Sequence, residues 1–233
     1  MKDLKICILT IATNKYIQFA QNLYDTIDEN FLTGNHIEGL LITNHDVESS
    51  ENIKVSTIEH EPWPMPTLKR YNYFTDEADY ISKFDYCFYF DVDMKVVSDI
   101  REDEVVSDLV AVQHPYKINE TPEQFSYERR SKSTAHIGYQ EGKHYYAGGF
   151  NGGSTKEFLK MSEKIASNVT TDLNNGIVAV WHDESHMNRY LIDNPPTLSL
   201  TPSYCYAEEF WGTDYPYDPK IVALKKNHNE LRS

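Results

Sequence analysis

Cysteine is scarce in this 233-residue chain. Cys7, Cys87 and Cys205 are odd in number and widely spaced, which excludes a disulfide framework and a cysteine-based zinc site and fits a reducing compartment. Basic residues are also short, 22 against 36 acidic ones, for a formal net charge of -14. With no surplus to neutralise a nucleic-acid backbone, nucleic-acid binding is not expected, and any phosphate ligand must be met locally. Neither a spanning apolar stretch nor a secretory h-region is present, so no transmembrane segment is expected and a cytoplasmic location is. Repeats, low-complexity tracts and flexible linkers are lacking too, which favours one domain.

Aromatic residues, by contrast, are plentiful: 17 Tyr, 10 Phe and 3 Trp suit either an aromatic core or a cleft that stacks sugars and bases. Apolar runs at 6–12, 40–43, 55–58, 86–90 and 109–114 read as strands. Between them, Tyr16, Phe19, Ala20, Leu23 and Ile27 trace one helix face, and a helix carrying Lys69, Arg70, Tyr71 and Phe74 follows the Pro-rich breaker 62–66, with Thr67 as its cap. Alternation of strand and helix predicts an α/β fold with a mainly parallel sheet and a ligand site at the strand carboxyl ends. The run 86–90 ends in Asp91-Val92-Asp93, and side chains two apart on a strand share a face. Two carboxylates aimed at one spot fit a hard divalent ion whose other ligands are phosphates, although a solvated acidic turn fits the same triplet.

Two further stretches carry chemistry. Tyr145 to Gly153 packs four glycines into six positions between aromatics, which lets backbone approach a ligand, and the Ser154-Thr155-Lys156-Glu157 box then predicts a helix start. The apolar run 177–180 reads as a buried element delivering Trp181-His182-Asp183-Glu184-Ser185-His186. His182 and His186 stand one helical turn apart, yet Asp183 occupies the place where a zinc hydrolase needs glutamate. From Tyr116 to Tyr146 no period is sustained, which suggests loops and short strands at the rim of a site. The last basic residues, Lys225, Lys226 and Arg232, are either solvated or able to fold over a diphosphate.

Taken together, Phe90-Asp91-Val92-Asp93-Met94, His114-Pro115, the run 125–130, the run 145–153, the run 176–186 and Lys226-Asn227-His228 resemble one family in its own motif order. That family is the ABO-type α1,3-galactosyl- and N-acetylgalactosaminyltransferases (glycosyltransferase family six), in its short microbial form. The resemblance covers the catalytic domain from end to end. It implies a GT-A fold, a donor part at about 1–114, an acceptor part at about 115–233, a UDP-sugar donor and a fucosylated galactoside acceptor. Carried over residue by residue, Ile11, Ala12 and Tyr16 hold uridine, Arg70 contacts the donor, Asp91 meets ribose, and Asp91 with Asp93 holds Mn²⁺, or Mg²⁺ in its place. Many of the microbial relatives have Asn-x-Asn here and work without metal, so Asp91 and Asp93 imply metal dependence. Ala147, Gly148 and Gly149 line the donor sugar, and the small pair Ala147 and Gly149 implies UDP-GalNAc over UDP-Gal. Asp183 accepts from sugar hydroxyls, Glu184 faces the anomeric carbon as nucleophile or as an orienting group, and Lys226 with Arg232 closes over the diphosphate. His114, Ser126, Trp181 and Glu184 meet the acceptor. An acid is usual in this family where Ala207 stands, so either Glu208 or Glu209 substitutes for it or the acceptor differs. A carbohydrate-binding protein without catalysis and a zinc hydrolase on His182 and His186 are the readings from other classes.

Overall fold

A computed structural model describes residues 3–231. In chain order, β1 (Lys5–Ile11) leads through a 3-10 turn into α1 (Ala20–Asn30), followed by β2 (His36–Thr43) and β3 (Ile53–Thr57). Three short helices come next, α2 (Met65–Leu68), α3 (Arg70–Asp76) and α4 (Ala78–Ile81), then β4 (Tyr86–Phe90), β5 (Met94–Val96), α5 (Glu102–Val105) and β6 (Leu109–Gln113). Beyond a long irregular excursion lie β7 (Tyr146–Ser154), α6 (Thr155–Asn174), α7 (His182–Asp193), β8 (Leu198–Leu200), β9 (Tyr206–Ala207), β10 (Ile221–Ala223) and α8 (His228–Leu231).

The main sheet has seven strands in the order β3-β2-β1-β4-β7-β6-β8, and a three-stranded sheet, β5-β10-β9, lies beside it. From β3 to β4 all pairs are parallel, whereas β7 runs antiparallel to both of its neighbours. The α/β class and the mainly parallel sheet in one domain therefore agree with the expectation from sequence. Strand alternation splits the core in two. Cys7, Leu9, Cys87 and Tyr89 point to the face covered by α3, α6 and α7, while Ile6, Ile8, Phe88 and Phe90 meet α1 and the small sheet. On the second face Phe31 makes edge contacts with Phe88, Phe90 and Phe150 at centroid distances of 5.3, 5.2 and 6.1 Å.

Several local expectations are corrected. Helix α6 starts at Thr155 with Ser154 in the N-cap position, as the sequence predicts, but no side-chain capping bond forms: the Ser154 hydroxyl lies 3.4 Å from the Asp108 carbonyl instead. Thr67 falls inside α2 rather than capping α3. The run 177–180 is irregular rather than a buried strand or helix, with Ala179 buried but Val180 48% exposed. The glycine-rich run is itself a buried central strand, because partners on both sides supply the packing that glycine cannot. No helix of the described residues is long and apolar enough to cross a membrane.

Candidate active site

Parallel strands β1 and β4 end at the same edge, and a cleft of about 510 Å³ opens there. Ile11 and Tyr16 form one wall, Arg70, Asp91 and Asp93 the floor, and Trp63, Trp181 and His182 the opposite wall. The C-terminal segment adds Lys226 and His228.

Asp91 and Asp93 do not lie on a strand. β4 ends at Phe90, and the Met94 N–H bonds to the Asp91 carbonyl at 3.1 Å, so the triplet forms a turn and the two carboxylates find different partners. Asp91 Oδ1 accepts from Arg70 Nη2 at 2.9 Å and from the Tyr89 hydroxyl at 2.5 Å. Asp93 is buried and meets the Lys226 ammonium at 2.5 Å. Burial pushes the Asp93 carboxyl up from its ordinary pKa, with Lys226 opposing and Asp91 adding to the rise.

Arg70 organises the second half of the site. Its guanidinium is buried, stacks 4.0 Å from the Tyr89 ring centroid, donates to the Gly148 carbonyl at 2.6 Å, and lies 3.0 Å from Asp183 Oδ2. Asp183 Oδ2 nevertheless accepts no hydrogen bond of good geometry. Burial raises the Asp183 carboxyl to about 7 against the pull of Arg70, with Asp91 and Glu184 adding to the rise. Glu184 accepts from the Tyr145 hydroxyl at 2.7 Å and the Gly148 N–H at 2.8 Å. Its pKa is raised by burial, and these two bonds moderate the rise.

A bulge in β7 makes this convergence possible. Between the pairs Ala111↔Asn151 and Val112↔Ala147 the register with β6 breaks, which frees Gly148 to turn its N–H to Glu184 and its carbonyl to Arg70. Gly149 faces the other way. A Cβ there would stand 2.9 Å from Met94 Cε and 3.3 Å from both Asp91 Oδ2 and Cys205 Sγ, so a side chain at this position presses on the Asp91 carboxylate.

Of the residues expected from sequence, Ile11, Tyr16, Arg70, Asp91, Asp93, Trp181 and Lys226 line the cleft. Ala12 is buried just beneath it, and Ala147, Gly148, Gly149, Asp183 and Glu184 form the layer behind Arg70. His114 lies in a small side pocket with Phe125 and Tyr145, its ring 5.5 Å from that of Tyr145. Burial lowers the His114 pKa to about 4, so the ring is neutral, with Nδ1 accepting from the Tyr116 N–H. Ser126 is half-buried next to Phe125. Arg232 lies outside the described residues. Of the expected substitutes for an acid at Ala207, Glu208 accepts from the Lys225 N–H and Glu209 from the Tyr116 hydroxyl, each through one carboxylate oxygen.

The zinc reading fails on geometry. His182 packs edge-on against Trp63 at 4.9 Å, whereas His186 is fully buried with Nε2 3.8 Å from Asp172 Oδ2. Among the described residues no three His, Cys, Asp or Glu side chains converge as a complete metal site. For Mn²⁺ or Mg²⁺ the donor set is right in kind. Asp91 and Asp93 are hard oxygen ligands, Asp91 Oδ2 has no hydrogen bond among the described residues, and buried Asp93 already holds a cation. Lys226 would have to release Asp93 to admit an ion, and a diphosphate is the group to which it would turn.

Trp63, Tyr89, Tyr145 and His182 were not assigned to the site from sequence. Tyr89 had a signal, standing two residues before Asp91 at the end of β4, and so had Trp63, an apolar ring held between prolines. Tyr145 had none, since only the fold brings it to Glu184.

The family model described as Glycosyltransferase family 6 matches residues 1–233. Histo-blood group ABO system transferase 1 of Rattus norvegicus is 32% identical over 247 residues, covering 100% of this chain and 70% of the relative. O-antigen biosynthesis glycosyltransferase WbnI of Escherichia coli is 30% identical over 225 residues, covering 95% of this chain and 94% of the relative. Globoside alpha-1,3-N-acetylgalactosaminyltransferase 1 of Gallus gallus is 28% identical over 247 residues, covering 99% of this chain and 70% of the relative.

Proposed function

Because the chain belongs to glycosyltransferase family 6, and so transfers a sugar from a sugar-nucleotide donor to a glycan acceptor, we propose that it is a retaining N-acetylgalactosaminyltransferase. It moves the sugar from UDP-GalNAc in α1,3 linkage to a galactose bearing α1,2-fucose. The observation that carries this reading is the single Arg70 guanidinium joining Asp91, the Gly148 carbonyl and Asp183, with Glu184 on the Gly148 N–H. That arrangement offers one end for a nucleotide and one for a sugar. The choice of donor rests on Ala147 and Gly149, the small pair that the resemblance links to UDP-GalNAc.

In this reading Tyr16 stacks on uracil, Asp91 bonds the ribose, and Lys226 leaves Asp93 for the diphosphate. Mn²⁺ held by Asp91 and Asp93 would neutralise the diphosphate charge, which makes UDP a better leaving group. The unbonded Oδ2 of Asp183 takes a sugar hydroxyl, and Glu184 faces the anomeric carbon. The bond from that carbon to the diphosphate oxygen breaks with its electron pair leaving on UDP. A bond to the acceptor O3 forms on the same face, and the O3 proton passes to the departing diphosphate or to Glu184. Retention follows either from two displacements, in which a glycosyl ester on Glu184 forms as the bond to UDP breaks and is itself broken as the acceptor O3 attacks, or from front-face attack guided by the diphosphate. A cytoplasmic site of action belongs to the same proposal.

UDP release from UDP-GalNAc, with 2′-fucosyllactose as acceptor and with either Mn²⁺ or EDTA, is the test. Release that needs both acceptor and metal is expected. Release indifferent to EDTA would overturn the metal assignment, and faster turnover of UDP-Gal would overturn the donor.

A further inference from the structure

The buried Glu128 stands outside the cleft, and nothing in the proposed chemistry uses it. It belongs to the long excursion between β6 and β7, which contains no helix or strand. Its carboxylate is 1% exposed, yet it receives four hydrogen bonds. Three come from Arg130: the backbone N–H and Nε at 2.9 Å on Oε1, and Nη2 at 2.5 Å on Oε2. The fourth comes from the Val180 N–H at 2.9 Å. Arg130 Nη2 reaches on to the Val178 carbonyl at 2.6 Å. Burial alone would raise the Glu128 carboxyl, but these bonds bring it down to about 2, so it is a permanent anion at neutral pH.

The strapped segment is the irregular run directly before Trp181, Asp183 and Glu184. It has no ladder of its own. The Trp181 N–H is held by the Ser185 hydroxyl at 3.0 Å, and His182 adopts φ 50°, a left-handed conformation that needs external support. The neighbouring Arg129 serves the excursion itself, bonding the carbonyls of Pro122, Phe125, Ile137 and Gly138. Asp172 anchors the same excursion to α6 through the Ser133 hydroxyl at 2.5 Å and the Thr134 N–H at 2.8 Å.

We infer that Glu128 and Arg130 are positioning residues that hold the Val178–Val180 backbone, so that Trp181 meets the acceptor and Glu184 stays aligned with the donor. This rests on the transferase reading for its kinetic consequences only. Displacing a reacting group by about an ångström costs on the order of a hundredfold in rate, so a strap of this kind acts through alignment rather than contact.

The variants are Arg130→Ala, Glu128→Gln and Arg130→Lys, each first checked for a folded chain by circular dichroism, because Arg130→Ala leaves the buried Glu128 without its cation. Amide exchange at Val180 is expected to quicken by on the order of tenfold or more in Arg130→Ala and Glu128→Gln. Acceptor KM should rise by about tenfold and kcat fall, with UDP affinity by calorimetry within about twofold of wild type, and Arg130→Lys should recover part of both. Unchanged Val180 exchange and unchanged acceptor KM in folded Arg130→Ala would overturn the inference. So would equal losses of donor and acceptor binding that follow the melting temperature. If the wild-type chain transfers no sugar, the function proposed above fails, and the exchange experiment still decides whether the strap exists.

Discussion

Arg70, sealed from solvent, donates to Asp91 and to the Gly148 carbonyl and ion-pairs with Asp183, while its Nε has no hydrogen-bond partner among the described residues. Asp91 and Asp183 are thereby tied to one cation and Asp93 to Lys226, and Glu184, bonded to Tyr145 and Gly148, is left as the carboxylate that no base holds. Glu184→Gln should therefore lower turnover by about a hundredfold or more while UDP affinity, measured by calorimetry, stays close to wild type. Weakened UDP binding in that variant would place Glu184 in the nucleotide site instead. The resemblance of motifs brought Arg70, Asp91, Asp183 and Glu184 to notice from sequence, but their connections were not legible there. A bond from Tyr145 to Glu184 spans a 39-residue separation, and no local pattern encodes it.

At the scale of the element, the strands that could be seen were those with apolar runs, β1, β2, β3, β4 and β6, and for the central ones burial on both faces leaves that mark. β7 could not. A strand propensity built on side-chain packing gives no credit to glycine, and only the neighbours β4 and β6 make this segment a strand. Gly152 shows why the residue is needed: a Cβ there would lie 2.5 Å from both the Cys87 carbonyl and Phe88 Cδ1. Gly152→Ala should cost about 2–4 kcal/mol of stability, read from denaturant midpoints, because backbone rather than a flexible side chain must give way. The run 177–180 erred in the opposite sense. Its apolar letters suggested a buried element, whereas Glu128 and Arg130 hold it as an open turn.

For the molecule as a whole, the pH dependence of stability is set by buried groups that oppose each other. His186 is fully buried with neither ring nitrogen hydrogen-bonded, and burial lowers its pKa to about 4. Its contribution is full above about 6.5 and is lost as pH falls through 4. Asp183, raised to about 7, runs the other way: its contribution is full below the ordinary carboxylate range and is lost as pH rises through 7. The two oppose each other, and Asp93 and Glu184, also raised by burial, stand on the side of Asp183, so acidification from about pH 7 to 5 should not lower the wild-type melting temperature. His186→Leu removes one side of that balance, and its stability should rise on acidification by up to about 3 kcal/mol relative to wild type. Parallel melting curves for the two proteins would count against a neutral buried His186.

Lys226 and His228 stand in the wall of the cleft, with His228 bonded to the Tyr16 hydroxyl, while β1 begins at Lys5, about 20 Å of strand away. For anyone handling this enzyme the two ends of that strand are not equivalent. A bulky label coupled to His228 would sit at the mouth of the cleft, whereas one on the exposed Lys5 would leave that mouth clear.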